Sequence, residues 1–166
     1  MPKVLIVDDD EDLREWIAQV LRTAGYATEQ LPGAQGALRL LSLGLIDVAL
    51  IDYHLPDKTG LQLLREIRAA KNTTPVVILT SDSSQQLAVE CFRAGAVDFV
   101  AKPIDPDYLK IIIERTLANH ARSLINTAYR ALTFTRHKDH CAFHADPETC
   151  DCGLKEIYAD IQDFKI

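Results

Sequence analysis

The chain has 166 residues, 48% of them hydrophobic, with 18 Lys and Arg against 24 Asp and Glu and a formal net charge of −6. That length suits one domain with an appendage and an apolar fraction large enough to bury a core, while the negative balance, with no basic patch, argues against broad attraction to nucleic acid. No uncharged apolar stretch approaches the roughly 20 residues needed to span a bilayer, and Met1-Pro2-Lys3-Val4 does not open a signal peptide, so a cytoplasmic protein without membrane association is expected.

Short Val-, Ile- and Leu-rich runs alternate with amphipathic segments, the pattern of βα units repeated around a parallel sheet. Five units fit residues 3 to about 119. The first strand is expected over Lys3–Val7 and runs into the acidic trio Asp8-Asp9-Asp10. A helix follows, with Leu13, Ile17, Val20 and Leu21 at helical spacing, Asp10 placed to cap its start and Gly25 placed to end it. Trp16 lies off that stripe and should be partly exposed. The second strand, Ala27–Leu31, is the most polar and the weakest; the third, Val48–Asp52, ends on a carboxylate. The fourth is expected over Val76–Thr80, and Cys91 on the helix after it reads as a small buried apolar residue. The fifth, Asp98–Ala101, is followed by Lys102-Pro103.

Pro106-Asp107 should start the last helix, whose stripe of Leu109, Ile113, Leu117 and Ala121 continues through Leu124, Ala128 and Leu132. No Gly or Pro interrupts residues 107 to 146. A helix of about 30 residues would be roughly 45 Å long, too long to bury its outer half on a domain of this size. Its stripe is expected to pair with a second copy, a homodimer being the simplest solution, or with the tail. The stripe is rich in Ala and Thr and lacks clean heptads, which weakens a coiled-coil reading.

If the strands run parallel, Asp8, Asp9, Asp52 and Lys102 converge on the rim formed by the strands' carboxyl ends, where open α/β sheets bind ligands. Carboxylates clustered there suit Mg²⁺ beside a phosphoryl group, because a hard cation takes oxygen ligands. An acid at a strand end can equally be a helix cap. Asp10, immediately before the helix, is assigned that role, which leaves Asp8 and Asp9 for the metal.

Asp8-Asp9 after the first strand, Asp52 after the third, Thr80 after the fourth and Lys102-Pro103 after the fifth resemble the receiver domain of bacterial two-component response regulators, and the segment from Asp52 through Pro56 to Gly60 resembles the family's loop. The resemblance covers about 120 residues and rests on five separated positions that agree in identity, strand context and order. It implies a flavodoxin-like fold, a five-stranded doubly wound parallel sheet. It further implies that Asp52 accepts a phosphoryl group from a histidine kinase or phosphotransfer protein, and that Asp8, Asp9, Asp52 and the backbone carbonyl of His54 hold Mg²⁺. Lys102 would pair with the phosphate, with Pro103 after a cis peptide bond. Thr80 and Phe99 would form a switch pair, and His54 and Asp82 would flank the path of attacking water. The only chemistry implied is self-phosphorylation and self-dephosphorylation.

The chain is accordingly read as a receiver over 1–120 and a helical extension with a Cys/His-rich element over 121–166. Residues 120 to 166 carry six Lys and Arg against seven Asp and Glu and are few for a basic recognition module or a catalytic domain, so neither direct DNA binding nor an enzymatic output is expected. An output through contacts with a downstream protein is expected instead. Three of the four cysteines lie in this tail, and His137, Cys141, Cys150 and Cys152 make a set suited to structural Zn²⁺, with His140 and His144 as alternates. A metal- or redox-sensing tail that modulates the receiver is the competing reading. Leu154, Ile157, Ile161 and Phe164 would form a short amphipathic helix beyond it.

Overall fold

The structure is a computed structural model that describes residues 1–82 and 84–136, with 129–136 as backbone alone. The elements are β1 (Lys3–Val7), α1 (Glu11–Thr23), β2 (Ala27–Leu31), α2 (Ala37–Ser42), β3 (Val48–Asp52), α3 (Gly60–Ala69), β4 (Val76–Thr80), α4 (Gln85–Arg93), β5 (Asp98–Ala101) and α5 (Pro106–Arg136). The five strands form one sheet of order β2-β1-β3-β4-β5, parallel throughout. This is the doubly wound, flavodoxin-like fold expected from the sequence.

Strand alternation divides the core into two layers. Val4, Ile6, Val48, Leu50, Val77, Leu79 and Val100 pack with Ile17, Ala18 and Leu21 of α1 and with Leu109, Ile112 and Ile113 of α5. Leu5, Val7, Ala49, Ile51, Val76 and Ile78 pack with residues of α2, α3 and α4, among them Leu41, Leu64, Ile67 and Cys91. Both faces are covered, so the inner strands read as continuous apolar runs. β2, at the sheet edge, is only partly buried along its whole length, which accounts for its polar sequence.

Local chemistry sets the element ends. Asp10 caps α1 by accepting from the Leu13 amide, and the chain leaves the helix through Gly25 at φ +88°, a left-handed conformation that glycine adopts without a Cβ penalty. Thr59 and Gln62 form a reciprocal capping box at the start of α3. At α5 the cap is Asp105, whose carboxylate accepts from the Tyr108 amide at 2.8 Å, with Pro106 in the first helical position. Trp16 is exposed and Cys91 fully buried, as expected from their positions.

The chain divides into two units, Met1–His120 and Ala121–Ile166. α5 is continuous from Pro106 to Arg136, and its residues from 121 to 128 are exposed. His137, His140, Cys141, His144, Cys150, Cys152 and the helix expected around Leu154–Phe164 lie outside the described residues.

Arg68 ties three connections of the first unit together. Its guanidinium donates to the carbonyls of Asn72 at 2.9 Å, Thr74 at 3.0 Å and Gly95 at 2.9 Å, joining the end of α3, the approach to β4 and the turn after α4. Hydrogen bonds from a charged donor are worth about 1.5–3 kcal/mol each when buried, less where water can replace them. Arg68→Ala should therefore cost about 2 kcal/mol of unfolding free energy in a urea titration with little change in slope.

Candidate functional site

Sheet register assembles the site. Val7 lies beside Ile51, so the next residues, Asp8 and Asp52, leave adjacent strands at one level. Asp52 lies beside Leu79 and Thr80 beside Ala101, which brings Thr80 and Lys102 to the same rim. The chain order reverses between β1 and β3, the switch point where a crevice opens at the carboxyl ends of the strands.

Asp8, Asp9 and Asp52 each offer a carboxylate oxygen, and these oxygens lie within 4.8 Å of one another. Asp8 and Asp52 are buried, whereas Asp9 faces solvent. Lys102 Nζ donates to Asp8 Oδ2 at 2.8 Å and lies 2.9 Å from Asp52 Oδ1 as an ion pair. The second contact lacks hydrogen-bond alignment, so the buried Asp52 Oδ1 has no hydrogen-bond partner. The peptide bond between Lys102 and Pro103 is cis.

One ammonium beside three carboxylates leaves the crevice short of positive charge. Burial pushes the Asp52 carboxyl above its ordinary range and Asp8 adds repulsion, while the Lys102 ammonium and the His54 amide oppose them. Burial alone would depress Lys102, but its contacts with Asp8 and Asp52 hold it above its ordinary value. A buried carboxylate oxygen held by an ion pair but without an aligned hydrogen bond, within reach of two further carboxylates, fits a hard divalent cation, whose ligands are oxygens. Asp8, Asp9 and Asp52 are the side chains that could hold it.

The loop after β3 is tied close to Asp52. The Gly60 amide donates to the Tyr53 carbonyl at 2.8 Å, and His54 pairs with Thr59. A Cβ at Gly60 would stand 2.3 Å from the Asp52 carbonyl oxygen and 3.1 Å from Tyr53 Cα, so only glycine allows the loop to close on the strand end. The exposed His54 imidazole meets the Tyr53 ring edge-on, with centroids 4.9 Å apart. Thr80 is fully buried, and its hydroxyl oxygen accepts from the Asp82 amide at 3.0 Å. Asp82 in turn accepts from the Ser84 amide at 2.8 Å and so shapes the approach to α4. Phe99 lies beside Ile78, is half-buried and packs against the α2–α4 layer.

Two contributors are absent from the sequence reading. Arg14, one turn into α1, donates to the Asp8 carbonyl at 2.7 Å. Asp57 accepts from the Ala34 amide at 3.1 Å, fastening the β3–α3 loop to the β2–α2 loop, and that amide holds its carboxyl below the usual range. Arg14 lies four residues after Asp10, within reach of the turn before α1, which is a signal that spacing could supply. Nothing in the local sequence points to the pairing of Asp57 with Ala34.

The family model for the response regulator receiver domain matches residues 4–114. The chain belongs to that family. This receiver is 35% identical over 115 residues to the regulatory protein AtoC of Escherichia coli, a match covering 69% of this chain and 25% of that protein. It is 30% identical over 126 residues to a cyclic di-GMP phosphodiesterase of Thermotoga maritima, covering 76% of this chain and 34% of that one. Among solved structures, a Francisella response regulator receiver domain superposes with a TM-score of 0.69 at 30% identity, covering 72% of this chain and 99% of that one. A CheY-like receiver of Methanospirillum hungatei gives 0.70 at 28% identity, covering 74% and 98%. The receiver thus spans about a quarter to a third of the length of these curated relatives. Receiver domains are signalling phosphoacceptors that bind Mg²⁺ at an acidic pocket of this kind and interact with histidine kinases or phosphotransfer proteins. No helix among the described residues is long and apolar enough to cross a membrane.

Two outcomes follow from the crowding. A carboxyl whose folded pKa is raised destabilises the fold above that pKa, and the penalty fades as the pH falls through it. Without divalent cations, Asp52→Asn should therefore melt above the wild type at neutral pH, with the gap narrowing as the buffer is acidified; calorimetry across pH checks this. Gly60→Ala should cost about 1–3 kcal/mol by forcing the loop away from Asp52, measured by urea unfolding.

Proposed function

We propose that Asp52 is the phosphoacceptor of a two-component phosphorelay and that residues 1–120 are its receiver, with 121–166 a separate extension. The observation that carries this reading is Asp52 Oδ1, buried, ion-paired with the Lys102 ammonium without an aligned hydrogen bond, and close to two further carboxylates. In the transfer, an Asp52 oxygen attacks the phosphorus of a phosphohistidine. The nitrogen–phosphorus bond breaks, and the imidazole leaves with the electron pair and takes up a proton. The product is an acyl phosphate on Asp52.

Phosphoryl transfer of this kind depends mainly on positioning and charge neutralisation. Asp8, Asp9, Asp52 and the His54 carbonyl would hold Mg²⁺, which would supply positive charge to offset that of the transferring phosphoryl group. Lys102 moves its ammonium from the carboxylates to a phosphoryl oxygen. The Thr80 hydroxyl turns from the Asp82 amide toward the same group, and Phe99 repacks behind it, which alters the surface of α4, β5 and α5. His54 and Asp82 flank the approach of hydrolytic water and set the lifetime of the phosphorylated state.

Exposed Phe92, Val97, Tyr108 and Ile111 on and beside α4, β5 and α5 support an output through contact with a downstream protein. Leu124 and Ile125, exposed farther along α5, support pairing with a second copy. The net charge of −6 favours a protein over nucleic acid as the partner of these residues. Dependence on a kinase that uses ATP supports a cytoplasmic site of action.

Incubation with acetyl phosphate and Mg²⁺, read by intact mass and peptide mapping, tests the assignment. One phosphoryl group should be found on the peptide containing Asp52, and none in Asp52→Asn. Lys102→Ala should slow its formation by about 10²-fold, the scale of losing one charge-stabilising donor. A wild type that takes up no phosphoryl group, or takes it up equally in Asp52→Asn, contradicts the proposal.

A further inference from the structure

Asp8 carries the central carboxylate of the crevice, yet it stands just past the end of β1, where the strand ladder no longer fixes the chain. Its amide reaches the Leu31 carbonyl at 3.2 Å, the last such bond to β2. Its carboxylate is held on both oxygens, by the Asp10 amide at 3.0 Å on Oδ1 and by Lys102 at 2.8 Å on Oδ2. Its carbonyl is taken by Arg14 Nη1 at 2.7 Å. The guanidinium thus holds the peptide that joins Asp8 to Asp9.

We propose that Arg14 is a positioning residue for the divalent cation. By clamping the Asp8 carbonyl it fixes the Asp8–Asp9 peptide, and with it the relative placement of the two carboxylates that come from one strand end. This inference rests on the assignment of the acidic crevice as a Mg²⁺ site.

Two effects of Arg14 oppose each other. Its positive charge repels a cation nearby, but Arg14 is partly exposed and solvent screens that repulsion. Its hydrogen bond orients ligands, and partners of that sort typically contribute 10–100-fold to metal affinity. Orientation dominates, so removal of Arg14 weakens binding. Lys102 differs in kind, because its ammonium touches the carboxylates themselves.

The test uses the full chain and two readouts, Mg²⁺ binding by titration calorimetry and the Mg²⁺ dependence of phosphorylation by acetyl phosphate. Arg14→Ala should weaken Mg²⁺ binding about tenfold and raise the half-maximal Mg²⁺ concentration equally, while the rate at saturating Mg²⁺ stays within about twofold of wild type. Arg14→Lys, which restores a charged donor without the fork, should recover part of the affinity. Melting of the metal-free variants controls for the fold, and Arg14→Gln replaces Arg14→Ala if the latter fails to fold. Unchanged or tighter Mg²⁺ binding in the variant overturns the inference, as does a fall in the saturated rate with no change in affinity. A wild type that binds Mg²⁺ but takes up no phosphoryl group defeats the phosphoacceptor assignment and leaves the calorimetric test of Arg14 intact.

Discussion

Three carboxylates offer oxygens within 4.8 Å of one another at the rim of the sheet, and among the described residues one ammonium, that of Lys102, pairs with two of them, Asp8 and Asp52; this shortage of positive charge is the constraint around which the site is organised. Charges of one sign at that separation raise one another's cost, more so when two are buried. Lys102 relieves Asp8 by a full hydrogen bond and Asp52 only by proximity. The fold therefore holds Asp52 in a state that a divalent cation can improve.

The sheet makes such crowding tolerable. Val4–Val7, Val48–Ile51 and Val76–Leu79 are fully buried, so the strands that present Asp8, Asp52 and Thr80 are held by both core layers. Parallel register then brings the strand ends that carry Asp8, Asp52, Thr80 and Lys102 to one rim. The loops refine the result: Gly60 lets the β3–α3 loop close on the Asp52 carbonyl, and Asp57 fastens that loop to Ala34. Thr80 and Phe99 occupy neighbouring strands on the side of α2, α3 and α4, whereas Asp8 and Asp52 continue the alternation of the opposite face. Thr80 and the two buried acids therefore sit on opposite faces of the sheet.

Much of this was legible in the sequence because it is written in local patterns. The strands other than the polar β2 show as apolar runs of the right length, and Asp8, Asp52, Thr80 and Lys102 end or directly follow them. The Asp10 cap and the Gly25 exit follow from residue types that few other positions tolerate. What stayed hidden depends on contacts distant in the chain or on side-chain direction. The Arg68 clamp on Gly95 and the Asp57 bond to Ala34 link loops whose meeting the local pattern does not encode. The start of α5 at Pro106 is where the sequence places it, with Asp105 before it as the cap. The Cys and His cluster beyond Arg136 remains a statement about sequence alone, since spacing names possible ligands without showing that they meet.

The central claim is that the carboxyl rim of β1 and β3 is a charge-deficient site completed by a divalent cation. Amide NMR of the metal-free chain during Mg²⁺ titration tests it most directly. The account predicts saturable shifts concentrated at residues 8–10, 52–54 and 80–82 and at Lys102, suppressed in Asp52→Asn. Shifts absent from that rim, or spread evenly over surface acids and unaffected by the substitution, would contradict it.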